Sequence, residues 1–164
     1  FKELYKLKNK ILINAIEKSI KIKLKYIIKD EKENLKDSSS RSMLNFGHTF
    51  GHALEAINNY KSTLTHGEAI SIGMILAAKI SYKINKISKN QLEDLITHFK
   101  NAKLPIKNNM IKQNKFYKKL INDKKNLNEK INLILLKKIG KAYFARNFKI
   151  NEIKDLISNI NKTL

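Results

Sequence analysis

The sequence predicts a mainly α-helical bundle in a single domain, with a small β-hairpin near its C-terminus. Three observations lead there. Apolar residues recur three or four apart through most of the 164 residues, β-compatible runs flank Ile139-Gly140, and 42% hydrophobic content is enough to bury one core at this length. No internal repeat or domain boundary is evident, so residues 1–164 read as one unit.

The elements follow in order. From about 4 to 28, Leu7, Ile11, Ala15, Ile16, Ile20, Leu24, Ile27 and Ile28 keep the helical period. Asp30 to Ser40 is polar, ends in three serines, and reads as an exposed loop. From about Ser42 to Asn58, Leu44, Ala53, Leu54 and Ile57 suit a helix, although Gly47 and Gly51 each cost it up to about 1 kcal/mol relative to Ala. Two glycines four apart share a helical face and admit another backbone or a ligand. A polar turn from Asn58 to Thr65 leads to a helix from His66 to about Ile84, apolar on nearly every side between Ala69 and Ala78 and therefore central. Ser88 caps a helix to about Lys100, and Pro105 marks the end of its connector. A weaker helix reaches about Ile121, Ile131–Leu136 and Lys141–Phe144 form the hairpin, and Asn151 caps a last helix from about 152 to 161.

The charge balance is extreme: 34 Lys and Arg against 14 Asp and Glu give +20. Only Arg41 and Arg146 are arginine, and lysine, asparagine and isoleucine are spread along the whole chain, as AT-rich codons produce. A nucleic-acid surface selects clustered arginine with interleaved aromatics, because guanidinium planes read and stack on bases. That pattern is missing, so the lysines read as a solvated coat and no nucleic-acid partner is expected. Without cysteine there is no disulfide, Cys-based zinc site or thiol nucleophile. The longest small and apolar stretch, Ala69 to Ala78, falls well short of the roughly 18 residues of a bilayer span, so no membrane partner is expected.

Chemistry gathers where lysine thins out. Between Ser42 and Ala78 the charged residues are Glu55, Lys61 and Glu68, and this stretch holds three of the four histidines, His48, His52 and His66. His48 and His52, four apart, leave one helical face at a spacing that permits metal binding or proton transfer. Spacing alone is weak evidence, because such pairs arise often by chance. A glycine before each of these two histidines, and His66-Gly67-Glu68 at a helix start, add context. A histidine opening one helix of a hairpin can meet residues of the preceding helix. His98 lies on an ordinary amphipathic helix and receives no role.

The run Arg41-Ser-Met-Leu-Asn45-Phe-Gly-His48-Thr-Phe-Gly-His52-Ala-Leu-Glu55, followed by His66-Gly-Glu-Ala-Ile-Ser-Ile-Gly-Met74, closely resembles the paired signature of the 3-dehydroquinate synthase family. Lys23 to Glu33 resembles that family's lysine-bearing helix end and acidic turn, and Asp123-Lys124-Lys125 precedes a hairpin like the family's. The resemblance covers almost the whole chain and implies the helical C-terminal half of a two-domain enzyme of the shikimate pathway. It departs in two ways. The family's third metal ligand, a glutamate, and its nucleotide-binding domain lie upstream of the position of Phe1, and the loop between Glu33 and Arg41 is a few residues longer than the common pattern.

Carried over by position, the resemblance implies that His48 and His66 bind a catalytic divalent metal, Zn2+ or Co2+. Two imidazoles and a carboxylate would leave one coordination position open. It implies His52 in proton transfer with Glu33 as its acidic associate. It implies Lys23, Arg41, Asn45 and Lys124, or Lys125 one register on, as holders of the substrate's carboxylate, hydroxyls and phosphate. Glu55 and Glu68 are candidates to accept from the far nitrogen of a metal-bound imidazole. The family's reaction takes 3-deoxy-D-arabino-heptulosonate 7-phosphate, a phosphorylated seven-carbon sugar acid, to 3-dehydroquinate and phosphate with NAD+, which this chain's residues would not themselves bind. A cytoplasmic location, a homodimer at full length and no turnover by this piece alone are the remaining expectations. Other sugar-phosphate cyclases, metal-dependent polyol dehydrogenases and a basic nucleic-acid-binding module are the alternatives.

Overall fold

The computed structural model describes residues 6, 8–121 and 130–163. Among these residues six α-helices, two 3-10 turns and one antiparallel hairpin follow in order: α1 (Asn9–Lys29), a 3-10 turn (Arg41–Asn45), α2 (His48–Ile57), α3 (His66–Lys83), α4 (Lys89–Asn101), a second 3-10 turn (Asn109–Lys112), α5 (Asn114–Ile121), β1 (Lys130–Lys138), β2 (Lys141–Lys149) and α6 (Ile150–Thr163). The helical bundle with a C-terminal hairpin is as the sequence predicts.

α3 is the axis. Ten of its residues are buried, from Ala69 to Ser81, and α2, α4, α6 and β1 all pack against it. A capping box starts it: Thr65 Oγ1 accepts from the Glu68 amide while Glu68 Oε2 accepts from the Thr65 N–H at 2.8 Å. Ser88 and Gln91 start α4 in the same way. The hairpin seals the far side, with Ile131, Leu133 and Leu135 of β1 all turned inward and at most 1% exposed, the period-two alternation of a strand buried on one face. Ser81 clamps helix to strand, since its hydroxyl donates to Ala77 O and accepts from Leu136 N–H at 3.0 Å.

Four expectations change. The helix expected from Ser42 to Asn58 is broken in two, because Gly47 has φ +82° and ends the 3-10 turn before α2 begins. Both strands are longer than their most β-compatible residues, running to Lys138 and Lys149, and α6 begins at Ile150 with Asn151 already inside it. The weaker helix before Ile121 is a 3-10 turn followed by α5. The 30–40 segment is exposed only in its middle. Its two ends are buried, Asp30 at 5% exposure and Ser40 at 0%.

α1 is the exception to the packing. It has no buried residue, and Ile13, Ile16, Ile20, Ile22, Leu24 and Ile28 are each at least 47% exposed. No helix among the described residues is long and apolar enough to cross a membrane.

Candidate functional site

The close packing of α2 on α3 builds the site, and glycine makes it possible. A β-carbon on Gly73 would overlap the Gly47 carbonyl oxygen and come within 2.8 Å of the Gly51 nitrogen, while one on Gly47 would overlap the Met74 backbone. Backbone therefore lies against backbone here, and Gly47 also needs its left-handed conformation to turn the chain into α2. The sequence raised the question of what requires Gly47 and Gly51; the answer is the opposite helix, through Gly73, Ile70 and Met74.

That contact brings the start of α2 beside the start of α3 and collects the three imidazoles. Ring centroids stand 5.5 Å apart for His48 and His52, 6.1 Å for His48 and His66, and 6.2 Å for His52 and His66. His66 Nδ1 lies 3.0 Å from Glu55 Oε1, and His48 Nδ1 lies 3.4 Å from the Phe46 carbonyl oxygen. A carboxylate and a carbonyl only accept, so each Nδ1 carries a hydrogen, and in a neutral ring Nε2 is the nitrogen left with the lone pair. Burial pushes the His48 pKa below the ordinary 6.5, and the neighbouring imidazoles act in the same direction against the Phe46 carbonyl and Glu55. His48 is thus held as a neutral base. His52 is exposed, with no hydrogen-bond acceptor for its ring among the described residues.

These donors suit a divalent cation only as a partial set. Neutral imidazole nitrogens are donors that zinc takes, and His48 and His66 would supply two of them. Among the described residues, no group of three His, Cys, Asp or Glu side chains is arranged to hold an ion.

The acidic turn borders the histidine helix. Glu33, itself at φ +54°, accepts from Ser42 Oγ at 2.7 Å and from Asn45 Nδ2 at 3.4 Å, so Glu33 and Asn45 are joined just before α2. Arg41 is committed to the same turn, with its amide on Asp30 Oδ2 at 2.9 Å and its guanidinium on the Glu31 carbonyl at 3.1 Å. Sequence reasoning passed over Asp30, which organises this corner: its carboxylate also accepts from the Asn34 and Leu35 amides at 2.8 and 3.1 Å. Burial pushes the Asp30 carboxyl up, but bonds from Leu35, Arg41, Ser40 and Asn34 outweigh that and hold it below the ordinary range. An Asp ending a helix before a serine-rich loop was the available signal.

Lys23 stands apart from this group. It lines a separate cleft between α1 and the end of α4, together with Ile16, Ile20, His98 and Leu104. Lys124 and Lys125 lie outside the described residues.

A family model described as 3-dehydroquinate synthase C-terminal matches residues 1–126. The chain is 41% identical over 156 residues to a 3-dehydroquinate synthase of Vibrio atlanticus, covering 94% of this chain and 42% of that protein. It is 35% identical over 146 residues to one of Campylobacter concisus, covering 89% and 41%. The chain thus spans about two fifths of the length of the curated relatives it matches. Among solved structures it is similar to a 2-deoxy-scyllo-inosose synthase complexed with carbaglucose-6-phosphate, NAD+ and Co2+, with TM-score 0.58 and 27% identity over 73% of this chain and 34% of the other. The fold also matches the 2-epi-5-epi-valiolone synthase of Streptomyces hygroscopicus with bound NAD+ and Zn2+, with TM-score 0.62 and 21% identity over 73% and 32%.

Proposed function

The chain belongs to the 3-dehydroquinate synthase family, and from that premise we propose that it is the metal- and substrate-binding part of an enzyme eliminating phosphate from 3-deoxy-D-arabino-heptulosonate 7-phosphate. The observation that carries this reading is the pairing of His48 and His66 across α2 and α3, each with Nδ1 engaged and Nε2 free. A metal-bound imidazole usually donates its other nitrogen's hydrogen to a carboxylate or carbonyl, as Glu55 and Phe46 allow here. Zn2+ or Co2+ at that pair would supply Lewis-acid polarisation of a carbinol oxygen, and NAD+, held by residues outside this chain, a reversible hydride acceptor.

The chain's own residues do the rest. His48 and His66 present two imidazole donors. His52, exposed, with its ring centroid 5.5 Å from that of His48 and no fixed partner among the described residues, takes and returns a proton. Glu33 holds the Asn45 amide, whose remaining donor and oxygen can meet substrate hydroxyls. Arg41 beside this turn, with Lys124 or Lys125, supplies positive charge for the carboxylate and phosphate of a multiply anionic substrate, whereas Lys23 lines a separate cleft and is left out of that role. Among the described residues no group of three ligating side chains is arranged to hold an ion, so these 164 residues by themselves bind zinc weakly and give no turnover. At full length the enzyme is a cytoplasmic homodimer.

Zinc titration against a chromophoric chelator tests the pairing. Wild type should compete weakly, His48→Ala and His66→Ala should abolish competition, and Glu55→Gln should weaken it about 10- to 100-fold. Equal competition by all four proteins would remove the metal reading. A phosphate-release assay on the chain with heptulosonate phosphate, NAD+ and Zn2+ should give no turnover, and a rate matching a complete enzyme would overturn the incomplete-site reading. Binding of the zinc-loaded chain to heptulosonate phosphate in preference to glucose 6-phosphate separates this substrate from those of other sugar-phosphate cyclases. That alternative is kept because of the 27% identity to the inosose synthase.

A further inference from the structure

A second cleft, of about 550 Å³, opens between α3 and the loop that follows α4. Ile72, Leu76 and Lys79 form one stripe of α3 along its wall, and Ile106, Lys107 and Lys112 face them from the loop and the second 3-10 turn. Lys79 lies thirteen residues beyond His66, roughly 20 Å further along the helix at 1.5 Å per residue. The cleft is therefore separate from the histidines.

Lys79 differs from the lysine coat. It is half-buried, whereas a surface lysine extends its ammonium into water, and among the described residues no carboxylate pairs with it or lines the cleft. Burial pushes its ammonium below the ordinary range, and the positive charge of Lys107 pushes in the same direction. The loop carrying Lys107 is fixed at both sides. The Ser71 hydroxyl donates to the Pro105 carbonyl at 2.7 Å, and Asn108 Oδ1 accepts from the Met110 amide at 2.8 Å. Three like charges are thus held around an apolar wall with no compensating acid among the described residues, an arrangement that an anion relieves.

We propose that this cleft binds a small organic anion, with its charged group among Lys79, Lys107 and Lys112 and its apolar body against Ile72, Leu76 and Ile106. Lysine suits either a phosphate or a carboxylate as a point charge, and the isoleucine and leucine wall selects for a ligand with an apolar part.

Calorimetric titration of the full chain with phenyl phosphate, benzoate and inorganic phosphate tests the proposal. Phenyl phosphate or benzoate should bind at least tenfold more tightly than inorganic phosphate. Lys107→Gln and Lys79→Met should each weaken that binding at least fivefold, and Lys118→Gln on α5 should leave it unchanged. Lys107 is exposed, so its variant decides the matter if Lys79→Met fails to fold. Amine acylation read by mass spectrometry gives a second measure, with phenyl phosphate protecting Lys79 and Lys107 but not Lys118. Absence of binding, equal binding of inorganic phosphate, or binding indifferent to Lys107→Gln would overturn the proposal.

Discussion

α1 and the α2–α3 pair share the same helical period and fare oppositely. α1 carries isoleucines and leucines at three- and four-residue intervals along 21 residues and buries none of them. α3, in 18 residues, buries ten, among them two serines and a glycine. The α2–α3 pair locks through backbone at Gly47, Gly51 and Gly73, whereas α1 touches the body mainly through the 3-10 turn after Ser40. Periodicity thus tells which side of a helix is apolar. What covers that side depends on small residues that let a neighbour approach.

The sharpest way to break this contrast is Gly73→Val. A side chain there meets the Gly47 carbonyl and the Gly51 amide, which are backbone and cannot step aside, so the variant should fail to reach the native fold by circular dichroism and amide exchange. Leu54→Ala on α2 tests side-chain packing in the same pair. Leu54 is 0% exposed, and denaturant unfolding should show a loss of about 2–5 kcal/mol.

Asp30 sits at the hinge between the two regions. Asp30→Asn should lower the unfolding midpoint, because a neutral amide accepts less strongly from the three backbone N–H groups. The folded carboxyl lies below its ordinary 3.8, so its contribution is present above that value and lost as pH falls through the folded value. Acid unfolding curves of wild type and variant should therefore converge at low pH, and parallel curves would refute the role given to the carboxylate. The smallest effect is expected on α1. Ile28→Ser, at a residue 81% exposed, should change stability by no more than about 0.5 kcal/mol. A loss of several times that would mean that α1 is covered in solution, and the contrast would fall.

Much of the site was legible in the chain. Ser88 announces its helix start because capping is chemistry between near neighbours. The apolar run from Ala69 to Ala78 marks the central helix because burial on all sides leaves no polar stripe. Histidines 48 and 52 share a face by spacing alone. The break at Gly47 was not legible, because a glycine reads the same inside a helix and at its left-handed boundary until a partner backbone is placed beside it. Asp30 was read as the edge of a loop because its three backbone partners lie four, five and eleven residues ahead, beyond any local pattern.

The sequence by itself determined the helices, the hairpin and the family signature, since these depend on period, caps and residue identity within a few turns. The tertiary structure decided that His66 meets His48 and Glu55, that Glu33 holds Asn45, and that Lys79 lines a cleft with Lys107. Each of those depends on how closely two backbones approach, and in the α2–α3 contact that distance is set by the absence of three side chains.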